Sequence, residues 1–344
     1  MKTTTGLTFL FLATFCAAAV AQSAGDYVVP RTEFDQPDLQ GVWNFSSNTP
    51  MQRPEEYGEQ EFLTEEQIQE AIGRQESRAA AADARAAVLI LNPEAPEISD
   101  NPGAYNDFWM ENRGIGDTIR TSHIVYPTNG RVPEAMEGAP RQYGGLGEDV
   151  PGTRPVRYTV GGIAKDGPED RGISSRCLVG FNSGPPFTPS AYNNNVQIFQ
   201  NRDTAVILTE MIHDARIVPL GGKPELHDDI RLWSGDSRGW YEGDSLVVET
   251  RNFNGLRQTF NSTGSNIDMV LTERFTRVAY DTVNYEFTID DPSTFTDKIT
   301  AIVPMTKLAG QIYEYACHEG NYGMLNTLRG ARVQERMAAE SGEQ

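Results

Sequence analysis

A series of short alternating segments between residues 196 and 317 constrains the fold of this chain more than any other feature. The segments are rich in β-branched and aromatic residues, and short polar turns separate successive pairs. The predicted strands are 196–200, 205–212, 237–241, 245–252, 269–278, 283–290, 299–305 and 312–317. Because so many antiparallel strands must protect their edges, the pattern predicts a mainly β domain that forms a barrel or a sandwich.

The N-terminal part of the chain adds one strand and one helix to this antiparallel meander. Residues 37–45 predict the first strand, and its Gly-Val-Trp sequence has the G-x-W form found in the first strand of lipocalin-like barrels. Thr64 and Gln67 form a capping box, which begins an amphipathic helix predicted over 65–90. Pro93 ends this helix, because proline disfavours helical geometry in the residue before it.

Segments without periodicity surround a further strand predicted at 121–126. Residues 129–175 are rich in glycine and proline and predict extended loops, which in a compact domain often cover a binding site. The tail predicts a helix over 322–339. We expect a single folded unit, in which an N-terminal arm (22–100) packs with the main β domain (101–335).

Residues 1–21 predict a cleaved signal peptide. A lysine precedes an apolar run from Leu7 to Ala18, which is too short to cross a bilayer as a helix, and a small-residue Ala-Val-Ala site follows. Lipidation at Cys16 is the alternative, although Phe15 is a poor residue before a lipidated cysteine. The sequence therefore predicts a periplasmic or secreted protein.

The charge of the chain limits the partners that it can bind. A net charge of −19 argues against nucleic acid and anionic membranes, because both require a positive surface. No phosphate-binding glycine motif follows a strand, so no nucleotide cofactor is predicted. No metal is predicted either, since HxH and HExxH spacings are absent; a divalent metal held by His213, His318 and a carboxylate is the alternative. The expected partner is a small-molecule ligand or substrate.

Two cysteines remain after the signal peptide, Cys177 and Cys317. In an oxidising compartment such a pair predicts one disulfide bond. Closing so long a loop would stabilise the fold by about 2–5 kcal/mol. A reactive thiol is the alternative, because His318 stands next to Cys317.

The stretch from Ser190 to Arg216 is the main candidate for a functional site, because a strand interior rarely accepts so many polar groups. His213 and His318 each stand beside a carboxylate, and a histidine near its ordinary pKa can act as a general acid or base. In regular strands the two histidines can face one cavity, while Arg216 is balanced elsewhere by Glu210 or Asp214. The predicted catalytic residues are His213, His318, Glu210, Asp214, Arg216 and Glu319.

Further polar and aromatic side chains are candidates for orienting a substrate. They are Tyr192, Asn193, Asn194, Asn195, Trp109, Asn321 and Tyr322. Together with the acid–base groups they predict a cofactor-free lyase or isomerase that acts on a small hydrophobic or aromatic molecule in a barrel pocket. One alternative is a lipocalin-like carrier that binds such a molecule without chemistry. Another is a polar network that only braces the loops.

Long motifs are distributed over most of the mature chain, and they include DLQGVW, YNDFWMENRG, SAYNNNVQI, ILTEMIHDARIVPL, EGDSLVVET and IYEYACHEGNYGM. Together these motifs resemble a family of exported proteins of Gram-negative bacteria. The resemblance implies a lipocalin-like, mainly β domain and an exported address, and it brings no activity. Relatives usually have leucine at the position of His123, so the resemblance does not favour His123 as a site residue.

Overall fold

A computed structural model of the chain describes residues 27–91, 119–141, 165–257 and 259–342. The predicted signal peptide and Trp109 lie outside the described residues, as do parts of the predicted loops.

The described part of the chain contains ten strands that form one antiparallel sheet. They are β1 (Gly41–Asn44), β2 (Ile124–Tyr126), β3 (Asn195–Gln200), β4 (Thr204–Thr209), β5 (Ala215–Pro219), β6 (Asp236–Glu242), β7 (Ser245–Arg251), β8 (Val270–Ala279), β9 (Thr282–Asp290) and β10 (Ile299–Lys307). The strand order is β5-β4-β3-β1-β10-β9-β8-β7-β6, and β2 also pairs with β10. The prediction of a mainly β fold with an antiparallel meander is confirmed.

The two ends of this sheet approach each other and nearly close it into a barrel. Strands β5 and β6 are in contact, and a parallel bridge joins Leu220 to Gly239 just beyond β5. Strand β1 comes from the N-terminal arm and lies between β3 and β10, so the arm supplies one strand of the barrel. Near-closure pairs or covers the strand edges that would otherwise expose unpaired backbone groups.

Alternation along the strands places the core inside the barrel. In β8 and β9 every second residue is buried, as the period of two requires. Aromatic side chains from several strands fill the interior and contact one another, among them Phe275, Tyr285 and Phe287. Two charged residues share the buried face of β8 with these rings: Glu273 is 0% exposed and Arg277 is 4% exposed.

The chain from Ala205 onward does not run as the single regular strand that its sequence predicts. Strand β4 ends at Thr209, a short 3₁₀ turn occupies Met211–His213, and β5 returns antiparallel beside β4. Ile212 and His213 both have positive φ in this turn, at 61° and 46°. The prediction was wrong here because neither glycine nor proline marks the reversal, and non-glycine residues rarely adopt such angles.

The last predicted strand, 312–317, is also wrong, since this segment forms no β-ladder with the described residues. Its attachment to the barrel is a side-chain contact, in which Tyr313 N donates to Glu210 Oε1 at 2.9 Å. The helix that follows, α2 (Tyr322–Ser341), agrees with the predicted tail helix.

The predicted N-terminal helix is confirmed as α1, which spans Glu65–Leu91. Its capping box is formed in both directions: Thr64 N donates to Gln67 Oε1 at 2.8 Å, and Gln67 N donates to Thr64 Oγ1 at 3.3 Å. Two amide groups at the helix start are thereby satisfied, which fixes where the helix begins.

Candidate functional site

A buried ion pair spans the barrel interior between β5 and β8. Arg216 donates to both carboxylate oxygens of Glu273, and the Nη2–Oε1 distance is 2.9 Å. Tyr285, on β9, donates its hydroxyl to the same Oε1 at 2.8 Å. Glu273 and Tyr285 are fully buried and Arg216 is 8% exposed. We call Arg216, Glu273 and Tyr285 the buried triad.

Arg216 and Tyr285 of the buried triad each have a pKa above the ordinary value of their group. Burial alone would lower the pKa of Arg216, but the charge of Glu273 and its hydrogen bonds raise that pKa above its ordinary value. Burial, followed by the neighbouring Glu273 charge, raises the pKa of Tyr285 well above its ordinary value. At neutral pH, Arg216 is therefore a cation and Tyr285 a neutral hydrogen-bond donor.

The buried triad also fixes the loop that runs from Ser183 to Ser190 over the barrel interior. Phe187, 1% exposed, inserts from this loop among the core side chains. Its backbone N–H donates to Tyr285 Oη at 3.0 Å, and its ring centroid lies 5.3 Å from that of Phe45. The Arg216 guanidinium lies 5.7 Å from the Phe187 ring centroid. The loop is thus attached through both its backbone and its aromatic side chain.

A pocket of about 230 Å³ lies against this same loop. Loop residues on either side of Phe187 form one wall, from Gly184 to Pro186 and at Thr188 and Pro189. The other apolar lining side chains are Met51, Val132, Phe181, Phe260 and Met269. The polar lining residues are Gln52, Thr259, Asn261, Asn266 and Arg257. A concave lining that combines apolar side chains with convergent polar groups is usual for a small-molecule site.

Arg257 places a guanidinium at the wall of this pocket while being 5% exposed. Its Nη2 donates to Gly184 O at 2.8 Å, and its Cζ lies 5.8 Å from the ring centroid of Phe253. Burial lowers the pKa of Arg257 to about 10, an effect that the charge of Asp214 partly opposes. The side chain therefore remains positively charged at neutral pH.

The two histidines predicted to act as acid and base are both exposed. His213 ends the 3₁₀ turn after β4, and His318 lies in the turn before α2, beside the equally exposed Glu319. Neither is among the described residues that line the pocket. The arrangement in which both face one barrel cavity is therefore not formed, and their roles in acid–base chemistry stay a prediction.

The acidic residues of the predicted site make separate contacts. Glu210 is buried and accepts from Asn195 Nδ2 at 2.5 Å and from Tyr313 N at 2.9 Å. Asp214 accepts from Ser234 Oγ at 3.0 Å. The expectation that Arg216 is balanced by one of these two carboxylates was wrong, because Arg216 forms its ion pair with Glu273 across the barrel.

The asparagine cluster of the predicted site braces the chain that enters β3. Asn194 is fully buried, and its side chain bonds to the backbone N–H and C=O of Ser190 at 2.8 and 2.9 Å. Asn182 Nδ2 donates to the carbonyl oxygens of Tyr192 and Asn193 at 3.2 and 3.0 Å. Positive φ at Asn193, 58°, completes the turn. These contacts hold one end of the 183–190 loop.

The predicted disulfide between Cys177 and Cys317 is formed, with Cα atoms 5.8 Å apart and a sequence separation of 140. Next to it, Asn321 Nδ2 donates to Ser175 O at 2.7 Å, and Asn321 Oδ1 caps α2 by accepting from Met324 N at 3.3 Å. Tyr322 is 69% exposed. The disulfide bond indicates an oxidising compartment.

His123 is the buried histidine of the described chain, at 2% exposure. Its Nδ1 lies 2.7 Å from Ile302 O, and its Nε2 lies 2.9 Å from Ser47 Oγ. Burial lowers its pKa to about 4. The side chain is therefore neutral at neutral pH and joins the β2 region to β10 and to the loop after β1.

Sequence reasoning missed Glu273, Tyr285 and Arg257, three buried residues with polar groups. A signal existed for Glu273, because it alternates with the apolar Leu271 and Phe275 and so takes the inward parity of β8. The same parity places Tyr285 inward on β9. Arg257 follows no such period, since it lies in a loop, and only the folded chain brings it to the pocket.

Among the described residues, no group of three or more histidine, cysteine, aspartate or glutamate side chains is arranged to hold a metal ion. No helix in the described ranges is long and apolar enough to cross a membrane. No family model, curated protein or solved structure matches the chain. The family resemblance of its motifs therefore stays a prediction.

Proposed function

We propose that this protein binds a small hydrophobic molecule in the pocket beside the 183–190 loop and acts as an exported carrier or binding protein. The observation that carries the proposal is the pocket itself, whose lining combines apolar and polar surface in similar amounts and whose loop wall is anchored to the buried triad. A wall fixed in this way needs little reordering when a ligand enters, and preorganisation lowers the cost of binding.

The size of the pocket limits the ligand. A cavity of about 150 Å³ is enough to bind benzene, and this pocket holds about 230 Å³. Pockets for drug-sized ligands measure about 300–1,000 Å³. The ligand class is therefore a single substituted ring or a short branched chain, rather than a steroid or a long lipid.

The disulfide bond between Cys177 and Cys317 supports a role outside the cytoplasm. The disulfide bond requires oxidising conditions, which the periplasm and the extracellular space supply. We propose that residues 1–21 direct export as a signal peptide and that the mature protein binds its ligand there.

Binding is favoured over acid–base catalysis by the position of the predicted catalytic groups. His213 and His318 are exposed and lie outside the described pocket lining. No member of the buried triad is among the described residues that line the pocket, and Glu273 accepts hydrogen bonds from the other two. A carrier role uses the pocket as it stands and requires no proton transfer.

The proposal is tested by ligand-observed NMR with small single-ring aromatic amides and alcohols. Thr188 lines the pocket, and Thr188→Trp should fill it and abolish binding. Thr272, between two inward residues of β8, provides the matched control on the outer face. We expect wild type and Thr272→Trp to bind the same compounds. Equal binding by Thr188→Trp, or no binding by wild type across the series, would reject the proposal.

A further inference from the structure

The charge of the pocket differs from the charge of the protein as a whole. The chain carries a net charge of −19, with 48 acidic and 29 basic residues. Among the described residues that line the pocket, the one with a formal charge is Arg257, which is positive. Arg257 therefore places a positive charge at the wall of a pocket in a strongly acidic molecule, with the charge of Asp214 near enough to act on it.

The surroundings of Arg257 fix the position of its guanidinium and strengthen its electrostatic interactions. The bond from Nη2 to Gly184 O ties the guanidinium to the loop wall, and the ring of Phe253 lies against it. Burial in these surroundings removes water, so a charge inside the pocket interacts more strongly than it would at the surface. A guanidinium presents planar N–H groups that suit a carboxylate.

A second polar group of the pocket also favours an anion. Gln52 Oε1 accepts a hydrogen bond from Val132 N at 3.1 Å, so the polar group at the other end of this amide is an NH₂ donor. Gln52 and Arg257 both line the pocket and both carry N–H groups, of which Arg257 Nη2 donates to Gly184 O. Donors of this kind recognise an acceptor-rich ligand.

We infer that the ligand of this pocket is a small hydrophobic carboxylate, whose ring or short chain packs on the apolar wall and whose carboxylate binds the Arg257 guanidinium. This inference rests on the proposed binding function and adds the charge of the ligand. The apolar contacts come from Phe181, Phe260 and Met269, and the ionic contact comes from Arg257. Arg257 then decides which ligands are selected, since neutral compounds of the same shape lack its charge-assisted bond.

The test compares para-ethylbenzoate with its neutral counterpart para-ethylbenzamide by calorimetric titration at neutral pH. Because hydrogen bonds to charged groups stabilise more than neutral ones, wild type should bind the carboxylate at least about tenfold more tightly. Arg257→Met should remove the preference while still binding the amide. The control Arg274→Met removes the same charge from an outward position of β8 and should keep the preference.

The outcomes separate the two proposals. Equal binding of both probes by wild type, or tighter binding of the amide, overturns the carboxylate inference and leaves the binding function standing. Failure of both probes to bind overturns both proposals. If Arg257→Met does not fold, the Arg257 Nε–H resonance of wild type decides: it should shift with para-ethylbenzoate and stay with para-ethylbenzamide, and the absence of that difference counts against the inference.

Discussion

Replacing Glu273 with methionine should destabilise the protein strongly, because it leaves the Arg216 charge buried without its counterion. Glu273 is fully buried and accepts two hydrogen bonds from Arg216 and one from Tyr285. Removing one member of a buried ion pair costs about 3–5 kcal/mol. We expect Glu273→Met and Arg216→Met each to lower the free energy of unfolding by about that amount.

The double variant tests whether this loss comes from the broken pair. With both charges replaced, no isolated charge remains buried, so the combined loss should fall below the sum of the single losses by at least about 2 kcal/mol. The assay is urea unfolding of the oxidised protein followed by tryptophan fluorescence. Glu286→Met, at an outward position of β9, is the matched control and should change stability by less than about 0.5 kcal/mol. Additive losses, or a loss below about 1 kcal/mol for Glu273→Met, would refute the reasoning.

Three further predictions concern other parts of the fold. The pKa of His123 falls from 6.5 to about 4 on folding, so the free energy of unfolding should drop by about 3 kcal/mol as the pH falls through that window, because the unfolded chain binds the extra proton. A plot of the free energy of unfolding against pH should be flatter for His123→Gln than for wild type, and parallel plots would contradict this. Replacing both Cys177 and Cys317 with serine should lower the free energy of unfolding by about 2–5 kcal/mol and speed proteolysis near α2. An unchanged free energy of unfolding together with an unchanged proteolysis rate would count against a stabilising role for the disulfide. Gly184→Ala should lower the free energy of unfolding by about 1–3 kcal/mol, since φ is +65° and a Cβ would lie 2.7 Å from Phe187 Cδ1. Gly310→Ala, at a position with no atom within 4 Å of the added Cβ, should not have this effect, and equal melting temperatures for the two variants would be evidence against the loop geometry.

The strand pattern was predictable wherever one face of a strand is buried and the turn residues are typical. The hairpins β6–β7 and β8–β9 follow the predicted bounds within a few residues, because an Asp or Gly turn joins runs of clear alternation. The β4–β5 reversal was not predictable in this way. It depends on positive φ at Ile212 and His213, residues that give no turn signal.

The candidate site shows a different limit of sequence reasoning. Polar density identified the stretch from Ser190 to Arg216, and its asparagines and Glu210 do form partly buried hydrogen bonds. Those contacts brace the loop, whereas the pocket itself is assembled from segments far apart in sequence, such as Met51, Phe181 and Arg257. Periodicity cannot bring such segments together, because closure of the barrel sets which loops meet at its end.

The most direct test of the proposed binding function is a crystal structure of the protein grown with para-ethylbenzamide, a neutral probe that does not depend on the charge of the pocket. The account predicts electron density for one aromatic ring between Phe181 and Phe260, with the 183–190 loop in the position it has here. A pocket that contains only water at a saturating concentration of the probe, or a probe bound elsewhere on the barrel, would contradict the account.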